Sequence, residues 1–314
     1  MKVINRLMVI SMLVVCCCSC SARKMMVNQF TGILGNGISA FEQDDDLEML
    51  EKAFPGNIKL LEVLLETSPN NSELLVLLAR FYGSYAFVSF EDKLERAVLK
   101  GDIAKGEQLG PGGTAVSVLR ETLSRYYMKG TDYALKALEV HHGPCGDQLK
   151  QVSTRDQFFN KLTENDVPAL FWYGFNLGAY VNLNRDSIKA VAMAQLAEKA
   201  MKRVIELNPG YYYGGAHLFL CAYYASRPPM LGGNLEAALS HYKHVKEIAG
   251  EDFLLADVYY GRFYLYQKQE RKKFKDVMNK IVHYPQSRNA YPLYNKLAVI
   301  RAKTYLDAID RLFE

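Results

Sequence analysis

Catalytic vocabulary is sparse in this chain. Its 314 residues include one tryptophan, six histidines and six cysteines. No H-E-x-x-H or G-x-S-x-G occurs, and "GPGGT" (110–114) lacks the Lys-Ser/Thr that completes a phosphate-binding P-loop. Zinc peptidase, serine hydrolase and P-loop chemistry therefore have no signature here. His241 and His244 lie three apart and share a helix face, but no third ligand is evident beside them. His217 reads as a buried hydrogen-bonding residue, and "HHGPCG" (His141 to Gly146) as a turn. An excess of one charge is also missing. With 38 basic and 34 acidic residues the net charge is +4, which is not the footprint of a nucleic-acid binder. Period-two strand patterns are scarce as well, which points to an all-α fold. The expectation is a non-enzymatic protein that needs no cofactor or metal.

Four of the cysteines, Cys16, Cys17, Cys18 and Cys20, fall in "VVCCCSC". Adjacent cysteines cannot bridge each other without strain, and zinc sites want spaced pairs. Lys2 and Arg6 precede an apolar run, Leu7 to Val15, broken only by Ser11. That is the layout of a secretory signal, and it is shorter than the ~20 residues of a membrane span. Cys20, flanked by Ser19 and Ser21, fits the lipidated cysteine of a bacterial lipoprotein better than Cys16, Cys17 or Cys18. The expected organisation is a signal peptide over 1–19, a lipidated tether over 20–40 and a helical domain over 41–314, held in the periplasm by a lipid anchor alone. Cys145 and Cys221 remain, either as one disulfide of an oxidising compartment or as two free thiols.

The rest reads as helices. Asp46 is placed to cap the first long one, with Glu48 and Glu51 in its acidic first turn. Pro69 followed by Leu75-x2-Leu78-Ala79-x2-Tyr82 has the spacing of a tetratricopeptide first helix. Ala197-x3-Met201 with Pro209, and Ala238-x3-Tyr242 with Gly250, have that of a second helix. Gly261-x2-Tyr264 and Pro285 keep the same offsets. A degenerate helix-pair solenoid, compact and single-domain, follows. "SRPPMLGGN" interrupts it: Pro228 and Pro229 fix an extended stretch, Gly232 and Gly233 allow close approach, and Asn234 can cap the next helix.

Tyrosine and phenylalanine are abundant, 21 and 15. They gather in "FWYGFNLGAY", "YYYGGAHLFLCAYY" and "VYYGRFYLY". Such runs serve as core. They also fall on helices that line the concave face of such an array, where an apolar body with a polar tip suits a ligand groove. Trp172, Tyr173, Tyr212, Tyr213 and Tyr223 are the candidate lining residues.

The run from Asn208 to Tyr264, with its tyrosine-glycine stretch, "RPP", "GG" and "RFY", resembles the T component family associated with TRAP transporters, as does the opening from Phe41 to Val88. Arg227, Pro228, Pro229, Gly232 and Gly233 match the family's best motif and are read as architectural. The resemblance implies a periplasmic lipoprotein of tetratricopeptide-like pairs that forms a homotrimer. It also implies association with the solute-binding P protein and a water-poor pore for a hydrophobic small molecule. The alternative is a general envelope scaffold for protein–protein contacts.

Overall fold

The computed structural model describes residues 22–100, 115–285 and 290–313, and no strand occurs among them. The fold is all-α. The signal segment 1–19 and the candidate lipidation sites Cys16, Cys17, Cys18 and Cys20 lie outside the described residues.

Residues 22–37, expected as a tether, are helical (α1). Val27 and Thr31 are buried, and Asn28 Oδ1 accepts from Ser68 Oγ at 3.2 Å and Asn71 Nδ2 at 2.8 Å. The polar side chains of α1 thus bind it to the helical body. A short α2 (Ser39–Glu42) follows. Helix starts obey side-chain capping. Asp46 accepts from Met49 N at 3.0 Å and opens α3 (Leu47–Thr67). Asn71 accepts from Leu74 N at 2.9 Å and opens α4 (Ser72–Ser89).

Twelve of the 18 residues of α4 are buried, because a helix apolar all round must be surrounded. Leu74, Leu75 and Leu78 are almost wholly inaccessible, and each such burial contributes about 1.5–3 kcal/mol. Next come α5 (Glu91–Lys100), α6 (Ala115–His142), α7 (Gly146–Lys150), α8 (Val152–Lys161) and α9 (Val167–Leu183). After them lie α10 (Ile188–Ala192), α11 (Ala194–Leu207), α12 (Tyr211–Ala225) and α13 (Leu235–Ala249), the last capped by Asn234. Packing advances in chain order: α3 on α4, α4 on α6, α6 on α9, α9 on α11, α11 on α12, α12 on α13. Ala197 and Ala238, small residues at inter-helix contacts, are fully buried.

The last stretch turns back on the first. It consists of α14 (Leu254–Tyr259), a π-helical turn (Tyr260–Leu265), α15 (Arg271–Val282), α16 (Pro292–Asp307) and α17 (Ile309–Leu312). Tyr294 donates to Glu42 Oε1 at 2.9 Å across a separation of 252 residues. Arg301 Nε reaches Asp92 at 2.6 Å, Tyr305 reaches Glu95 at 2.6 Å, and Arg311 donates to the Leu99 carbonyl. These contacts close the array around an internal space. Cys145 and Cys221 are buried free thiols, so the free-thiol alternative is the one realised. Burial first, with Glu139 also facing Cys145, pushes both up to about 12, so neither is a ready nucleophile.

Candidate ligand cavity

The enclosed space has a volume of about 660 Å³, within the usual span of small-molecule sites. Its first wall is a hydrogen-bonded cluster centred on Glu42, a carboxylate 9% exposed. Glu42 accepts from Arg80, from Tyr213 at 2.8 Å and from Tyr294 at 2.9 Å, while the hydroxyls of Tyr212 and Tyr294 meet at 2.7 Å. Both oxygens of the buried carboxylate are thereby hydrogen-bonded, one of them to a guanidinium. Burial, and then the Glu42 charge beside Tyr213, raises these phenols well above their ordinary range, so they stay protonated donors.

The backbone of this wall is strained. Tyr212, Tyr213 and Gly214 run consecutively in the left-handed region, with φ of 52°, 60° and 72°. For each tyrosine that conformation costs about 1–2 kcal/mol. Ring contacts hold it in place: Tyr212 packs on Trp172 at 5.0 Å and under Arg80 at 5.1 Å, and Tyr213 on Tyr291 at 5.3 Å. A second recess of about 480 Å³ shares Ile38, Glu42, Arg80, Tyr212 and Tyr213 with the cavity. These side chains border both spaces.

The second wall joins α5 to the C-terminal helices. Arg301, 6% exposed, binds Asp92 and, at 3.3 Å, Glu91, and its guanidinium lies 4.3 Å from the centre of the Phe87 ring. Burial raises the pKa of Glu91 and Asp92 against the pull of Arg301. Arg262, presented by the π-helical turn, binds Glu95 at 2.8 Å. Such turns re-aim side chains and recur at functional sites.

The third wall includes Arg227, which opens the "RPPMLGGN" loop. Leu231 N and Gly233 N both donate to the Pro228 carbonyl, and Asn234 N donates to Tyr224 O at 3.0 Å. Gly232 has φ 86°. At Gly233 a Cβ would stand 1.8 Å from the Arg227 carbonyl oxygen, so only glycine fits. This wrap fixes Arg227, whose guanidinium lies 3.5 Å from the centre of the Tyr223 ring, with Nη1 bonded to Tyr223 O.

Of the residues singled out from sequence, Trp172, Tyr212, Tyr213, Tyr223 and Arg227 line the cavity. Tyr173 does not. It is buried on the other side of α9, near Cys145 and Arg155. Pro228, Pro229, Gly232 and Gly233 shape the loop without lining the space. Sequence reasoning passed over Glu42, Arg80, Arg185, Arg262, Tyr294, Arg301 and Tyr305. The only available signal was "RFY", which contains Arg262.

His217 is the buried hydrogen-bonding residue expected, and its partners are His241 and His244. His217 Nδ1 lies 2.9 Å from His241 Nδ1, and its ring stacks on that of His244 at 4.9 Å. No group among the described residues has the arrangement of a metal site. In "HHGPCG", His142 Nε2 pairs with Asp166 at 2.8 Å, and Cys145 N donates to Glu139.

The helices surround a ligand-sized, aromatic-walled cavity in an all-α protein. The chain matches the family of the TRAP transporter T-component over residues 43–313, and it belongs to that family. It is also similar to a Treponema pallidum (strain Nichols) protein described as uncharacterized, with 25% identity over 209 residues, 65% of this chain and 61% of that protein. The alignment thus spans less than two thirds of that relative.

Proposed function

We propose that the chain is a non-enzymatic periplasmic subunit of a TRAP-type solute uptake system, lipid-anchored through Cys20. It binds the solute-binding P protein and holds or passes a hydrophobic ligand through its cavity. In this reading the helices form a degenerate tetratricopeptide-like array and the protomers a homotrimer. The observation that carries the ligand role is the 660 Å³ space itself. A helical body could fill its core with side chains, as close packing favours. Here instead the aromatic walls are propped apart by ion pairs at both ends. The border shared with the second recess, at Glu42 and Tyr212, gives a route for passage. For the partner, family membership supplies the class, and the loop tip beside Arg227 supplies an apolar contact: Met230 is 88% exposed and Leu231 61%.

Sedimentation velocity of the soluble chain from Ser21 onward, alone and with the P protein, tests the partner role. A complex at tens of micromolar is expected, and its absence overturns the adaptor reading. The chain alone should sediment as a trimer. Capture of many envelope proteins without a dedicated P protein would favour the general scaffold.

A further inference from the structure

The charges lining the cavity do not cancel. Six arginines face four carboxylates, Glu42, Glu91, Glu95 and Asp186. Three of the arginines are matched: Arg80 by Glu42, Arg262 by Glu95, and Arg301 by Glu91 and Asp92. Arg120, Arg185 and Arg227 have no carboxylate partner among the described residues, and Arg120 donates to the Leu183 carbonyl at 3.4 Å. Arg185 bonds only Asn182 Oδ1 in its own helical turn, and Arg227 only the Tyr223 carbonyl. Glu198 attracts Arg227, but its oxygens already serve Tyr223, Tyr224 and Lys202. Asp186 makes no ion pair among the described residues.

We propose that Arg185 and Arg227 form an oxyanion clasp at the α9–α12 end of the cavity, and that the ligand is an amphiphile with a compact anionic head and an apolar tail. This rests on the ligand-holding reading above. Arg185 is accessible, yet burial first, then the like charges of Arg227 and Arg262, lowers its pKa. Arg185 lines the cavity together with Arg227. Burial lowers that of Arg227 as well. Two guanidiniums that line one cavity without a matching carboxylate leave a positive field that favours an anion between them. Their planar donor forks suit a carboxylate or a phosphate, and stacking on Tyr223 already fixes one fork. Among the described residues, the one guanidinium at the opposite end, Arg80, is already taken by Glu42, which leaves no free cation there for an anionic head. The head therefore sits at Arg185 and Arg227, and the tail runs along Phe175 and Phe219 toward Trp172 and Tyr212.

Trp172, the single tryptophan, lies in the cavity wall, so its fluorescence reads occupancy of the full mature chain. The probes are dodecanoate, dodecyl phosphate, dodecanol and dodecyltrimethylammonium, which share one tail. At least one anionic probe should bind about tenfold or more tighter than dodecanol, the tighter of the two naming the head, and the ammonium should bind more weakly than dodecanol. R185Q/R227Q should bring the anionic probes to the dodecanol affinity and leave dodecanol within about twofold. R185Q alone, at an accessible position, should show part of the same loss without a change in melting temperature. Equal binding of dodecanol and both anions by the wild type, or an anion preference that survives in R185Q/R227Q, overturns the clasp while leaving the cavity reading intact. Failure of all four probes overturns the cavity reading and the clasp with it.

Discussion

Lowering the pH from about 7 to about 5 should destabilise the protein through His217 and His241. His217 is 5% exposed, and burial first, then the charges of His241 and His244, lowers its pKa to about 4. Burial and the neighbouring His244 and Lys202 do the same to His241, also to about 4. One Nδ1 donates and the other accepts across their 2.9 Å contact, so protonating the acceptor breaks the bond. In the unfolded chain a histidine takes its proton near pH 6.5. Between pH 6.5 and 4 the unfolded state thus binds more protons, and stability falls as the pH falls. At pH 5 one such histidine has lost about 2 kcal/mol relative to neutral pH. His241 is partly exposed and shares its interaction with His217, so the pair should lose roughly 2–3 kcal/mol rather than twice the single value. Urea denaturation of the wild type and of H217Q/H241Q at both pH values isolates this contribution from the carboxylates. The wild type should lose more than the variant by that amount, and equal losses would refute the reasoning.

Arg301→Gln should lower stability by about 3 kcal/mol in chemical denaturation, because the nearly buried Asp92 loses its guanidinium while the partly exposed Glu91 keeps Tyr127. Gly233→Ala should cost at least about 2 kcal/mol by the same measurement, since the Cβ would overlap the Arg227 carbonyl. Met230→Asp with Leu231→Asp should abolish association with the P protein in sedimentation velocity. Because both side chains are exposed, the melting temperature should stay within about 1–2 °C of the wild type.

Local features were legible in the sequence because their causes are local. Asp46 and Asn234 cap the helices they precede, and the face of Leu75, Leu78, Ala79 and Tyr82 is buried at helical spacing. The aromatic runs announced a crowded interior. They could not announce which side of α9 faces the cavity, since that helix is apolar all round, with Trp172 on one side and Tyr173 on the other. Glu42 belongs to an acidic stretch that reads as a helix start, and its partners Arg80 and Tyr294 stand 38 and 252 residues away. His217 reaches His241 across 24 residues and two helices. Single polar residues brought together over such separations leave no periodic trace.

An open array of repeats can fold and fray from either end, since each unit leans only on its neighbours. The contacts of Glu42 with Tyr294 and of Glu95 with Tyr305 remove that freedom. The cavity is complete only once α16 has docked, so its walls form late, from residues at the two ends of the described helical body. Loss of α16 would open the cavity and leave Glu42, Asp92 and Glu95 without Tyr294, Arg301 and Tyr305.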